Sequence, residues 1–520
     1  MYTSPYPSVH VPSVPLSDFV LADAASRGRR AALVCGVTGR RITYAELPER
    51  VERTAAGLAA LGVGKGDVCA IFAANSPEYV VAVLAIARLG AIATTANPLY
   101  TPNDLARQLE DSGARVLLTS LSLRPTWEAA IVGTSVSRVV LFDDDASAAG
   151  NVIPFAALAE GPRVAPAVSI DPHDLVVLPY SSGTTGMPKG VMLTHRNLIA
   201  NILQIDRMTH YIDGEDTTVA FLPFFHIYGL TVIALMGLWA GATLVVMPKF
   251  DLAEYLDLIE AHRATFLHVV PPVVVALAKH PMIDGRDFSS VRKLFSGAAP
   301  LGAELATQCA RRIGCVLQQG YGLTETSPAA IVLPERSATT KLGSIGVPIA
   351  STECRIVDPE TGRDVPPGID GEILIRGPQV MRGYLGRPDE TRAAIDDQGW
   401  FRTGDIGHVD GDGHFYIVDR LKELIKYKGM QVPPAELEAV LLSHPAVADA
   451  AVVPLADEEC GEVPRAFVVP RREVSADELM RYVAERVAPY KKLRRLQFID
   501  AIPKSASGKI LRRLLKDRPA

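Results

Sequence analysis

Residues 180–194 read YSSGTTGMPKGVMLT. Ser181, Ser182, Gly183, Thr184, Thr185 and Gly186 set hydroxyls and small residues in an unbroken row. Their backbone N–H groups and hydroxyls can wrap a polyphosphate, and Lys189 adds a mobile positive charge. The commonest phosphate loop, GxxxxGK[ST], places its lysine directly after the second glycine, with a hydroxyl next for Mg²⁺. Here Met187 and Pro188 separate Gly186 from Lys189, and Gly190 follows. Taken alone, such a run is also an ordinary turn, so its chemistry depends on what the rest of the chain brings to it.

The elements that must position this loop alternate between helical and strand patterns. Residues 43–62 read as an amphipathic helix opening at Thr43, and 68–74 as a short apolar strand. Residues 77–98 give a buried helix ending near Gly90, then another strand. This alternation predicts α/β layers with buried, mainly parallel strands. Four strands, within 174–186, 264–272, 291–300 and 314–325, each end in a small-residue or polar loop. Ligands of open α/β sheets sit at the carboxyl ends of strands, so the four loops are expected to converge on one site. From about Gly343 the texture changes to short strands and turns, which predicts a β-rich subdomain. After Gly429 a fresh unit begins: a helix over 434–443, a strand over 448–453, another before Pro470, and a helix capped by Ser475. The expected boundary lies near 420.

With 520 residues, 48% hydrophobic and 21% charged, the chain is long enough for at least two domains. Its net charge of −5 gives no general reason to expect nucleic acid as a partner. The six cysteines form no CxxC pair or Cys/His cluster, which points to a reduced, cytoplasmic setting. Residues 231–247 are apolar for nearly a membrane span. Two glycines interrupt them and the second half turns β-rich, so a buried helix running into a buried strand is expected, and no span.

Five strings occur in order: YSSGTTGMPKGVMLTH, QGYGLTE, WFRTGDIG, VDRLKELIKYKGMQVPPAELE and PKSASGKILRR. Together they resemble the AMP-forming acyl-CoA synthetase superfamily over nearly the whole chain. FHIYGL, PKFD, VVPPVVVALAKHP and SGAAPLG are most similar to the 4-coumarate–CoA ligase group within it. The resemblance implies a large N-terminal domain (1–420) of two α/β sheet subdomains plus a β-rich one. It also implies a small, mobile α+β C-terminal domain (421–520). The implied reaction joins a carboxylic acid, cinnamate or 4-coumarate, to coenzyme A with ATP and Mg²⁺. The carboxylate attacks the α-phosphate, pyrophosphate leaves, and the CoA thiol then displaces AMP. A loop that grips departing pyrophosphate need not be a Walker loop.

Residue roles follow from the same resemblance. Ser181, Ser182, Gly183, Thr184, Thr185 and Lys189 hold phosphates. Tyr321 stacks on adenine, with Gln319, Gly320 and Ala298 lining the slot. Thr324 meets phosphate, and Glu325 binds Mg²⁺, which prefers hard carboxylate oxygens. Asp405, on a tight glycine-flanked turn, takes the ribose hydroxyls, and Arg420 contacts the ribose and phosphate side. Lys509 bridges the carboxylate and the α-phosphate during adenylation. Lys504, Arg512 and Arg513 read as solvated charges. Lys422 marks a hinge about which the C-terminal domain rotates between half-reactions. Lys426, Lys428, Gly429 and Gln431 then serve the adenylate or the CoA channel, and Lys249 matches a CoA-binding position. His226 orients the carboxylate or gates the pocket; Tyr228, Ala298 and Gly320 line the acyl site. The motif around Lys509 also resembles the site where bacterial acyl-CoA synthetases are acetylated, which implies a lysine acetyltransferase acting on Lys509.

Three positions depart from the plant coumarate ligases. Ser327 and Ala329 replace a glycine and a bulkier aliphatic beside the proline, and Val232 replaces a serine. These leave open an unsubstituted ring or a medium-chain fatty acid. Adenylation followed by transfer to a carrier protein, and a phosphoryl-transferring NTPase, are the remaining alternatives.

Overall fold

Strand Val68–Phe72 is apolar at every position, as a strand covered on both faces must be. Its period of two divides it between two cores. Cys69 and Ile71 pack in one cluster with Val80 and Leu84 of helix Pro77–Arg88. Ala70 and Phe72 pack in another with Leu105, Leu109 and Trp127. The computed structural model describes residues 1–143, 150–181, 188–337, 341–421, 423–428, 430–457, 459–505, 508–516 and 518, with Gln431 by its backbone alone.

Val68–Phe72 pairs in parallel with Ile92–Ala96 and Val116–Thr119 at the centre of a nine-stranded sheet. That sheet ends in the antiparallel strands Lys189–Thr194 and Tyr180–Ser181. A second sheet sets Thr217–Ala220, Thr243–Val246 and Ala31–Cys35 in parallel, with Arg41–Thr43 antiparallel at its edge. A third runs Phe266–Val269, Lys293–Ser296 and Val316–Gly322 in parallel, then Ala329–Val332 and Val347–Pro348 antiparallel. The Thr265 N–H donates to the Thr217 carbonyl at 2.9 Å and joins these two sheets edge to edge. The β-rich part is a five-stranded antiparallel sheet whose outermost strand is Tyr2–Thr3, paired with Cys354 and Glu353. The smaller C-terminal domain has its own five-stranded sheet and its own core of Ile425, Leu437, Leu441, Val452, Val468 and Leu479.

Two expectations change in detail. The helix expected over 43–62 spans Leu47–Ala60. Thr43 belongs to strand Arg41–Thr43, and its hydroxyl and the Glu46 carboxylate cap each other's N–H groups in the turn before the helix. Pro48 then sits in the first turn, where a missing N–H costs nothing. The strand expected over 448–453 extends over Val447–Asp457. Ser475 does cap helix Ala476–Ala484, accepting from the Glu478 N–H.

The apolar run at 231–247 is a buried helix followed by a buried strand. Its first half is a π-helix, Tyr228–Leu235, continued by the turn Met236–Trp239 and strand Thr243–Val246. Among the described residues no helix is long and apolar enough to cross a membrane. The π-helix enters beneath the Pro223 carbonyl: a Cβ on Gly229 would lie 2.1 Å from that oxygen, so only glycine fits. Gly229→Ala is expected to cost about 1–3 kcal/mol through overpacking against backbone, read as a lower denaturant midpoint at unchanged slope.

Candidate active site

One cavity of about 1090 Å³ opens between the domains. Three of the four expected strand-end loops line it: Pro179–Ser181, Gly297–Ala298 and the Gly320–Glu325 run. The fourth, Val270–Pro272, does not. It packs instead under the C-terminal domain, where a Cβ on Gly508 would touch Pro272 and Val270 at 3.4 Å. It therefore supports the turn that presents Lys509.

That turn reaches in from the C-terminal domain. The Ser505 N–H donates to the Lys509 carbonyl at 2.8 Å, and the Lys509 N–H to Ser505 Oγ at 3.1 Å. Burial pushes the Lys509 ammonium below its usual range, and Arg420 and Arg512 push it further, while Glu423 and Asp405 oppose. Lys509 also acts on His226, whose pKa falls to about 4, mainly through burial. The Tyr228 N–H donates to His226 Nδ1 at 3.2 Å, which puts the proton of the neutral ring on Nε2. His226 is thus a neutral donor at the cavity wall.

Asp405 stands inside strand Phe401–Val409, directly opposite Arg420, and not on a turn as expected. The glycine beside it supplies only a local kink, Gly404 at φ +70°. Asp405 accepts from the Tyr321 hydroxyl at 2.7 Å and pairs with Arg420 Nε at 3.2 Å. Burial raises its pKa, against the pull of Arg420, Tyr321 and Lys509. Tyr321 and Arg420 line the cavity, while Gln319 lies behind it, buried with Nε2 unpartnered among the described residues.

Glu325 is buried in a short 3₁₀ turn and accepts two hydrogen bonds on Oε1, from Ser181 Oγ at 2.8 Å and the Tyr384 hydroxyl at 3.0 Å. No described residue bonds Oε2, so a carboxylate oxygen is left for a hard cation; Glu325 fits Mg²⁺ by donor type. Lys189 is no mobile charge. It is buried on strand Lys189–Thr194, ion-paired with Glu390, its ammonium 4.9 Å from the centre of the Tyr384 ring. Ser182, Gly183, Thr184, Thr185, Lys422 and Gly429 fall outside the described residues, as does the side chain of Gln431. Lys249, Lys426 and Lys428 are exposed and away from the cavity wall.

The acyl side is a slot walled by glycines. A Cβ on Gly320 would lie 2.5 Å from the Phe295 ring, and one on Gly297 3.3 Å from the Tyr228 ring. Ala298, at φ +70°, turns the chain between them. Ile205, Val232, Pro328 and Ala329 continue the wall. Ser327 faces elsewhere: its hydroxyl donates to the Gln379 carbonyl at 2.8 Å.

Lys504 and Arg512 are not solvated charges. Lys504 pairs with Asp449 at 2.6 Å. Arg512, its side chain 11% exposed, binds both Glu438 carboxylate oxygens at 2.8 and 2.7 Å and also holds Glu423. Arg513 is exposed as expected, at the cavity edge. Across the domain interface, Asp419 accepts the Ala435 N–H at 2.9 Å and so caps helix Pro434–Ser443 from the neighbouring domain. Lys279 donates to the Leu442 carbonyl at 2.9 Å. Tyr384 and Glu390 carry no local motif, and the resemblance gives Asp419 and Glu423 no role, though both lie inside the VDRLKELIKYKGMQVPPAELE string. Strand pairing brings Tyr384 opposite Val191, which only the folded topology reveals.

Residues 21–385 match the family of AMP-binding enzymes, and residues 436–509 match the AMP-binding enzyme C-terminal domain. The chain belongs to the AMP-binding enzyme family. It is 45% identical to 4-coumarate–CoA ligase 5 of Oryza sativa subsp. japonica, over 100% of this chain and 97% of that one. Identity to 4-coumarate–CoA ligase 1 of Petroselinum crispum is 42%, over 100% and 97%. Among solved structures, the anthranilate CoA ligase AuaEII in complex with anthranoyl-AMP superposes with a TM-score of 0.90 at 26% identity, over 98% of this chain and 97% of that one. The o-succinylbenzoate CoA synthetase of Bacillus subtilis, in complex with ATP and magnesium, gives 0.83 at 33%, over 97% and 100%.

Arg512→Ala leaves the Glu438 carboxylate buried without its cation. The C-terminal domain is expected to lose about 3–5 kcal/mol, seen as an earlier separate unfolding transition in calorimetry.

Proposed function

We propose that this AMP-forming acid–CoA ligase acts on an arylacrylate, cinnamate or 4-coumarate. The observation that carries the choice is the apolar slot lined by Gly297, Gly320, Val232, Pro328 and Ala329 and backed by the Tyr228 and Phe295 rings, which pack against the two glycines. A planar conjugated acid fills such a slot with little loss of entropy, whereas a flexible alkyl chain must be ordered to do so. The curated relatives named 4-coumarate–CoA ligase support the same class.

In the first half-reaction a carboxylate oxygen bonds to the α-phosphorus of ATP and the bond to pyrophosphate breaks. Lys509 lies between the two anions and screens their approach; Arg420 adds charge on the phosphate side. The neutral His226 donates from Nε2 and orients the carboxylate. Tyr321 and Ala298 form the adenine slot with Gln319 behind it, Asp405 takes the ribose, and Thr324 with Ser181 to Thr185 and Lys189 meets the phosphates. Glu325 would hold Mg²⁺, which supplies neutralisation of phosphate charge. In the second half-reaction the CoA sulfur bonds to the acyl carbon and AMP departs.

Lys426 and Lys428 are exposed in the orientation that presents Lys509 to the cavity. We assign them, with Gly429, Gln431 and Lys249, to the second half-reaction. A boundary at 420/421 and rotation about Lys422 would bring them in as Lys509 withdraws. Acetylation of Lys509 by a lysine acetyltransferase would remove the charge adenylation needs. Six free thiols fit a cytoplasmic setting.

The test is product analysis with cinnamate or 4-coumarate, ATP, Mg²⁺ and CoA. AMP and pyrophosphate are expected in step with the thioester; ADP would overturn the reading, and turnover of octanoate alone would overturn the substrate class. Lys509→Ala should slow pyrophosphate release about 10²–10³-fold, the size of a lost transition-state donor, yet spare thioester formation from supplied acyl-adenylate. Lys509 must be protonated to act, and its folded pKa is lowered. The kcat/KM for ATP should therefore fall as pH rises, below the ordinary lysine range, and Lys509→Arg should remove that alkaline limb.

A further inference from the structure

Behind the acyl slot lies a hydrogen-bond chain that no part of the ligation chemistry uses. The Tyr211 hydroxyl lies 2.6 Å from His268 Nε2, and His268 Nδ1 lies 3.4 Å from the Tyr228 hydroxyl. The Tyr228 hydroxyl in turn donates to the Phe295 carbonyl at 3.1 Å. His268 is 1% exposed on strand Phe266–Val269, its ring packed against Phe266 and Phe295.

Complete satisfaction fixes the direction of the chain. Tyr228 has one proton, and it goes to the Phe295 carbonyl. Nδ1 must then donate to the Tyr228 oxygen, which leaves Nε2 as the acceptor for the Tyr211 proton. The reverse order would leave the Phe295 carbonyl without this donor. Burial holds the His268 ring neutral, its pKa pushed down to about 3 with Lys293 assisting and Asp216 opposing. The tautomer is therefore constant wherever the enzyme works.

We infer that His268, backed by Tyr211, is a specificity-determining positioning residue: it occupies the Tyr228 hydroxyl and so makes the acyl slot select a ring without a 4-hydroxyl group. The side chains that continue the slot, Ile205, Val232, Pro328 and Ala329, carry no polar atom. A ring hydroxyl entering there leaves water and meets no side-chain partner among them, which costs affinity. Cinnamate loses nothing in the same place. This inference rests on the arylacrylate reading and adds the ring preference to it.

The experiment measures kcat/KM for cinnamate and 4-coumarate by pyrophosphate release in the full chain, its Tyr211→Phe, His268→Gln and His268→Leu variants, and His268→Leu combined with Tyr228→Phe. Wild type is expected to favour cinnamate. In His268→Leu the Tyr228 oxygen is free to accept from a substrate hydroxyl. The 4-coumarate to cinnamate ratio should then rise about tenfold, the scale of one unmet hydrogen bond, through KM at nearly constant kcat. The double variant should return it to the wild-type value, and His268→Gln, whose amide can still donate to Tyr228, should hold it there. A merely structural histidine would lower both acids alike. A ratio unmoved in His268→Leu, or unmoved in the milder Tyr211→Phe should His268→Leu fail to fold, overturns the inference while the arylacrylate reading stands. Wild type that turns over neither acid overturns that reading itself.

Discussion

Three cations share one small region of this protein, and their mutual repulsion shapes what surrounds them. Burial lowers the pKa of Lys509, and Arg420 and Arg512 lower it further. Left alone, such a group would lose its proton or swing into solvent. The fold counters this with carboxylates placed against two of the three cations. Asp405 faces Arg420, and Glu438 with Glu423 brackets Arg512. Lys509 alone has no ion-pair partner among the described residues. A positive charge left over at a cavity wall suits the arrival of two anions.

The three cations come from two units, Arg420 from the β-rich sheet and Lys509 with Arg512 from the C-terminal domain. Asp405 and Arg420 come from adjacent strands of the β-rich sheet, where register sets their separation. Lys509 comes from a separate core, on a turn steadied by Ser505 and by Val270 and Pro272 of the larger domain. Dividing the cations between two bodies lets their repulsion be adjusted by how the bodies meet.

The α/β alternation, the β-rich middle and the separate C-terminal unit were legible because hydrophobic period and glycine or proline punctuation are local signals. Ser475 was legible as a cap for the same reason. The motif residues Lys509, Arg420, Tyr321 and Glu325 stood out by resemblance, and the fold does gather them at one cavity. What escaped was everything set by pairing across long separations. Lys189 looked like a free loop charge, yet a strand buries it against Tyr384 and Glu390, nearly two hundred residues on. Arg512 looked solvated because the sequence shows no partner nearby; Glu438 and Glu423 come from other elements. Asp405 looked like a turn residue because TGD is a turn signal, and sheet pairing overrode it. The π-helix is invisible to a 3.6-residue pattern in a run apolar at nearly every position.

Asp419 gives the domain interface a direction in energy. Helix Pro434–Ser443 begins with N–H groups that need acceptors, and one of them, at Ala435, is met from the other domain. Any orientation that parts Asp419 from Ala435 uncaps this helix and leaves a buried carboxylate to find water. Parting the two domains at this contact therefore carries a cost. A cap of this kind is worth about 1 kcal/mol, so this contact favours the orientation in which Lys509 faces the cavity.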